Sequence, residues 1–150
     1  MIMSSDLDNN HLKDDREDFQ PLDGLRILVV DDDVDNCVLF AFILESYGVQ
    51  VMTSESAIEA LEILQQFEPN VLISDIAMPE VDGCSFIRRV RTLNPPLGEI
   101  PAIAITAMCT EEDRNFALKS GFQSYLSKPV EPTDLATEIV KIITLNLIND

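Results

Sequence analysis

From Arg26 onward the chain alternates between two hydrophobic patterns. Short apolar runs rich in β-branched residues stand at Ile27–Val30, Gln50–Thr53, Val71–Ser74, Ala102–Thr106 and Ser124–Ser127. Each precedes a helix-length amphipathic stretch. Val34, Val38, Leu39, Phe42 and Ile43 share one side of the first stretch, and Ile58, Leu61, Leu64 and Phe67 one side of the second. These are the expected core-facing stripes. Ser56 with Glu59, and Thr110 with Asp113, have the spacing of helix-starting capping boxes. Gly48 and Gly121 sit where glycines end helices, and Pro132 suits the first turn of a last helix over Asp134–Leu147.

Strands that alternate with helices imply an α/β fold: a parallel sheet, doubly wound, with helices on both faces. The first and third runs are the most continuously apolar and are expected at the centre. Residues 94–101 (NPPLGEIP) form a loop before the fourth strand. Residues 1–23 lack any apolar period and carry Asp6, Asp8, Asp14, Asp15, Glu17 and Asp18 against Lys13 and Arg16. They are expected to be a disordered acidic leader, and residues 24–148 to be the folded domain.

Composition narrows the function. The 150 residues suit one domain, with 46% hydrophobic and 25% charged residues. The net charge of −17 argues against nucleic acid and against anionic membrane surfaces as partners. No apolar stretch reaches the ~20 residues of a membrane span. The N-terminus is polar and acidic, unlike a secretory signal. Cys37, Cys84 and Cys109 are odd in number and widely spaced, so they read as reduced thiols of a cytoplasmic protein. A single histidine, His11, leaves almost no room for histidine-based catalysis or metal binding.

In open α/β sheets ligands bind beyond the carboxyl ends of the strands, so strand ends are where chemistry is expected. The first strand ends in Asp31-Asp32-Asp33, the third in Asp75, the fourth in Thr106-Ala107 and the fifth in Lys128-Pro129. Taken singly, each has an ordinary explanation: a helix cap at Asp33, a turn at Asp82-Gly83, a surface lysine at Lys128. Independent surface residues have no reason to gather at one sheet edge, however. Clustered carboxylates repel, and a divalent cation relieves that conflict. Oxygen donors without His or Cys suit Mg²⁺. Such a cation, with a lysine and a threonine hydroxyl, suits a phosphoryl group, and a central carboxylate suits a nucleophile. The glycine motifs of nucleotide-binding loops are absent.

The segments Val29-Val30-Asp31-Asp32-Asp33, Ser74-Asp75-Ile76-Ala77-Met78-Pro79 with Asp82-Gly83, Ile105-Thr106-Ala107 and Lys128-Pro129 resemble the receiver domain of bacterial two-component response regulators. The resemblance implies a flavodoxin-like sheet of strand order 2-1-3-4-5. It implies that Asp75 accepts a phosphoryl group from a sensor histidine kinase or histidine phosphotransfer protein. Asp31 and Asp32 match the acidic pair that holds Mg²⁺, and Ala77 the position whose backbone carbonyl also ligates it. Thr106 matches the switch hydroxyl, Tyr125 the aromatic that follows it, and Lys128 the lysine that pairs with the phosphoryl group. The Lys128-Pro129 bond resembles the family's cis peptide, and Met108 falls where the family tunes phosphoryl lifetime. The 94–101 loop resembles that of receivers related to hybrid sensor kinases.

The implied protein is a stand-alone, cytoplasmic phosphoacceptor without an attached output domain. It would catalyse only its own phosphorylation and dephosphorylation, and signal to a downstream protein through the fourth helix, fifth strand and fifth helix. Two other readings stay open at this point. The Asp31-x-Asp33 spacing also resembles the nucleophile loop of haloacid-dehalogenase-like phosphatases, which would leave Asp75 unexplained. The third is an interaction module that is never phosphorylated.

Overall fold

The computed structural model describes residues 19–107 and 110–149. Five strands, β1 (Arg26–Val30), β2 (Gln50–Ser54), β3 (Val71–Asp75), β4 (Ala102–Thr106) and β5 (Ser124–Ser127), alternate with five helices. The helices are α1 (Val34–Glu45), α2 (Ala57–Phe67), α3 (Gly83–Arg91), α4 (Glu111–Ser120) and α5 (Pro132–Asn149). The strands form one parallel sheet in the order β2-β1-β3-β4-β5. The chain thus reverses direction across the sheet between β1 and β3, which places their carboxyl ends side by side.

Side-chain alternation sends each strand's residues into one of two cores. Leu28, Val30, Leu72, Ala102 and Ala104 pack with Ala60 and Leu64 of α2, Phe86, Ile87 and Val90 of α3, and Ala117 of α4. Ile27, Val29, Ile73, Ile103 and Ile105 pack with Phe40, Ile43 and Leu44 of α1 and Leu135, Ala136 and Ile139 of α5. β3 and β4 are buried along their whole length because helices cover both faces. The expected caps form: Ser56 accepts from the Glu59 amide and Thr110 from the Asp113 amide.

Two expectations need correction. Of the five residues expected to face the core from α1, only Ile43 does so. Val34, Val38, Leu39 and Phe42 are exposed, Phe42 at 74%, and the buried side is Cys37, Phe40, Ile43 and Leu44. α1 is apolar nearly all round, so spacing alone could not choose its inner side. In α2 likewise, Leu64 is buried but Ile58 lies outside.

The second correction concerns the domain boundary. The packed chain begins before residue 24: a 3-10 turn at Gln20–Leu22 buries Leu22 completely, and Phe19 stands edge-on to Tyr47 with ring centroids 5.3 Å apart. Apolar anchors at 19 and 22 hold this end of the expected leader against the domain. Its residues 1–18, His11 included, lie outside the described residues, as do Met108 and Cys109.

Candidate functional site

The site is built where β1 and β3 end. Asp31 is 2% exposed. Its amide donates to the Ser54 carbonyl, which extends the β1–β2 ladder one residue past the strand. Its Oδ1 accepts the Asp33 amide at 2.9 Å. Asp33 itself faces solvent and caps α1 by accepting the Asp35 amide at 2.9 Å, the ordinary role foreseen for it. Asp32 is exposed beside Asp31.

Asp75 closes β3 and is 7% exposed. Its Oδ1 accepts two backbone amides, Ile76 at 2.7 Å and Ala77 at 3.2 Å. This carboxylate is therefore fixed by the turn that follows its own strand. Gly83, the first residue of α3, lies against that turn. Its amide donates to the Ile76 carbonyl at 2.8 Å, and a Cβ there would stand 2.2 Å from the Asp75 carbonyl oxygen. Read from sequence as a turn glycine, Gly83 is instead required by close approach of backbone to backbone.

Lys128 joins the two halves. Its ammonium lies 2.9 Å from Asp31 Oδ2 and 2.9 Å from Asp75 Oδ2. Burial alone would lower its pKa. The hydrogen bonds and charges of Asp31 and Asp75 outweigh that and hold it above the ordinary 10.5. The Lys128-Pro129 bond is cis. The Lys128 amide donates to the Thr106 carbonyl at 2.9 Å, so the end of β5 is tied to the end of β4. Thr106 is fully buried. Tyr125 pairs with Ala104 in the β4–β5 register, on the sheet face that Thr106 shares by alternation, and packs against the core of α2, α3 and α4.

Asp31, Asp32 and Asp75 each offer an oxygen, and these oxygens lie within 4.8 Å of one another. The donor set is hard and anionic, with no nitrogen or sulfur, and so fits Mg²⁺. Asp31, Asp32, Asp75 and Lys128 are thus brought together as expected, while Thr106 and Tyr125 line the adjoining β4–β5 edge.

Two residues that the sequence reasoning passed over also touch the site. Asn36 Nδ2 donates to Asp31 Oδ2 at 3.3 Å, and Cys37 Sγ lies 3.2 Å from the Asp31 carbonyl. Both belong to the first turn of α1, which faces back toward the strand it leaves. That placement was the available signal. Burial, and then the charge of Asp31, push the Cys37 thiol up to about 11. An open cleft of about 730 Å³ lies at the amino ends of the strands, lined by Arg26, Asn70 and the 94–101 loop. It contains none of these residues.

Known proteins place this arrangement. Residues 27–140 match the model of the response regulator receiver domain. An uncharacterized 14.6 kDa protein of Leptolyngbya boryana is 52% identical over 118 residues, which cover 78% of this chain and 88% of that protein. The sensor histidine kinase RcsC of Escherichia coli K12 is 37% identical over 128 residues, 85% of this chain but 13% of the kinase. The transcriptional regulatory protein ZraR of the same strain is 32% identical over 121 residues and is matched over 27% of its length. This chain therefore spans only a small part of those two proteins. A CheY-like response regulator receiver domain protein from Methanospirillum hungatei superposes with a TM-score of 0.77 at 28% identity, over 85% of this chain and 99% of that one. The matched stretch runs from the first strand into the last helix and takes in every element that builds the acidic corner, which makes this chain a member of the response regulator receiver domain family.

Proposed function

We propose that the protein is a phosphoacceptor that takes a phosphoryl group onto Asp75 from the phosphohistidine of a sensor kinase or histidine phosphotransfer protein. In this reaction the P–N bond of the donor breaks and a P–O bond to the Asp75 carboxylate forms. The imidazole leaves with a proton. The observation that carries the reading is the state of Asp75. It is nearly enclosed, with one oxygen fixed by two amides and the other accepting from the Lys128 ammonium, beside the acidic pair.

Asp31, Asp32, Asp75 and the Ala77 carbonyl would hold Mg²⁺, which when bound supplies positive charge to the phosphoryl oxygens. Lys128 pairs with a further phosphoryl oxygen, and the Thr106 hydroxyl donates to the group. Movement of Thr106 makes room for Tyr125 and biases the α4-β5-α5 surface toward a downstream protein. The chain catalyses only its own phosphorylation and dephosphorylation. A cytoplasmic setting agrees with the absence, among the described residues, of any helix long and apolar enough to cross a membrane. The exposed α1 stripe of Val34, Val38 and Phe42 begins beside the site and offers the protein donor an apolar surface.

The test is labelling with Mg²⁺ and acetyl phosphate, followed by borohydride trapping and mass-spectrometric mapping. Asp75 should carry the label, and Asp75→Asn should abolish it while keeping the fold. Label on Asp31 or Asp33 would instead support a phosphatase, and no label from any donor would support an inert interaction module.

A further inference from the structure

The carboxylate of Asp31 is held from three sides. Oδ1 accepts the Asp33 amide, and Oδ2 accepts both the Lys128 ammonium and the Asn36 side-chain amide. These holders differ in what becomes of them during the reaction. The Asp33 amide is backbone and stays. Lys128 is shared with Asp75, at 2.9 Å to each carboxylate, and in the proposed reaction it would follow the phosphoryl group placed on Asp75. Asn36 belongs to the first turn of α1. That turn is itself fixed by the Asp33 cap and by Cys37, whose Sγ lies 3.2 Å from the Asp31 carbonyl. Asn36 is neutral and half-buried, so it adds a donor at Oδ2 without adding charge to the acidic cluster.

We propose that Asn36 is a positioning residue: its amide keeps Asp31 aimed at the cation when Lys128 leaves for the phosphoryl group, and so sets the Mg²⁺ affinity of the working site. The inference rests on the phosphoacceptor reading above and adds to it a residue that contacts neither the phosphoryl group nor the acceptor. Outer-shell donors to metal-holding carboxylates typically account for 10–100-fold in affinity. The 3.3 Å bond and partial exposure of Asn36 place it at the low end, about tenfold.

The test uses the whole chain. Calorimetric titration with Mg²⁺ alone, on unphosphorylated wild type and Asn36→Ala, should give a dissociation constant about tenfold higher for the variant. Their melting temperatures in EDTA should stay close. In acetyl phosphate labelling, the Mg²⁺ concentration for half-maximal rate should rise by the same factor, while the rate at saturating Mg²⁺ is retained. A double-mutant cycle then checks the route of action: in an Asp31→Ala background, Asn36→Ala should change Mg²⁺ affinity no further. An unchanged dissociation constant in Asn36→Ala, or an undiminished effect of Asn36→Ala without Asp31, overturns the inference and leaves the phosphoacceptor reading standing. A wild type that binds no Mg²⁺ overturns both.

Discussion

Lys128 touches both buried carboxylates, and replacing it should move stability and metal binding in opposite directions. In Lys128→Met the stem is kept and the ammonium removed. Asp31 and Asp75, 2% and 8% exposed at the side chain, then face each other without the Lys128 counter-charge. At the 4.8 Å limit of the cluster their repulsion is about 3.5 kcal/mol for an effective dielectric of ~20. Taking one partner from a buried ion pair costs about 3–5 kcal/mol. Lys128 is 21% exposed, so some water reaches the site, and about 3 kcal/mol is the working figure. For a chain of this size that is a fall of about 6–12 °C in melting temperature. Differential scanning calorimetry in EDTA reads it directly. With saturating Mg²⁺ most of the loss should return, because the dication takes over the neutralising role. A cation held at 100 times its dissociation constant adds about 2.7 kcal/mol. The pH dependence has a definite sign. The pKa of Lys128 is raised in the fold, so its contribution is complete below the ordinary 10.5 and is lost as pH climbs through the higher folded value. A variant that melts within 2 °C of wild type in EDTA, or gains no more from Mg²⁺ than wild type does, would refute the reasoning.

Gly83→Ala should lower the melting temperature by about 3–10 °C, since the new methyl meets the Asp75 and Ile76 backbone rather than a side chain able to yield; the same melts with acetyl phosphate labelling should show acceptor activity falling too. Phe42→Asp on the exposed side of α1 should leave acetyl phosphate labelling of Asp75 unchanged and slow transfer from a phosphohistidine protein about tenfold, the effect of losing an apolar anchor worth ~1.4 kcal/mol. The Cys37 thiol, pushed up to about 11, should stay unmodified by iodoacetamide at pH 8 in the native protein and react on unfolding, as mass spectrometry would detect.

What the sequence made legible follows from where structure is local. The five strands appear within a residue of their expected bounds. β1, β3 and β4 read as continuous apolar runs because helices cover both their faces, while the partly exposed edge strands β2 and β5 stand out by their place between helical stretches. Asp31, Asp75 and Lys128 could be placed because each stands at the end of a strand, and a parallel sheet brings all carboxyl ends to one edge. What stayed hidden depends on three-dimensional approach. The inner side of α1 is chosen by Phe40 and Leu44 against the sheet, and a helix apolar on every side does not announce that choice. Gly83 looks like any turn glycine until the Asp75 carbonyl is seen where its Cβ would go. Asn36 carries no motif, and its meaning lies in a side-chain bond to a residue one turn back.

The same features suggest why phosphorylation at this corner can be felt elsewhere in the domain. Asp75 is anchored by its own turn, and Asp31 by the turn into α1, so neither carboxylate is free to relax the charge between them. The adjustable member is Lys128, a flexible side chain on a backbone tied to Thr106 at the end of β4. In the proposed reaction a phosphoryl group on Asp75 draws the Lys128 ammonium and the Thr106 hydroxyl together. Both lie at the β4–β5 edge, with Tyr125 two residues down the same sheet face from Thr106's partner Ser127. In that reaction the rigid half of the site would hold the acceptor and the cation. The movable half would report on what the acceptor carries, at the β4–β5 edge of the sheet from which α4 and α5 depart to opposite faces.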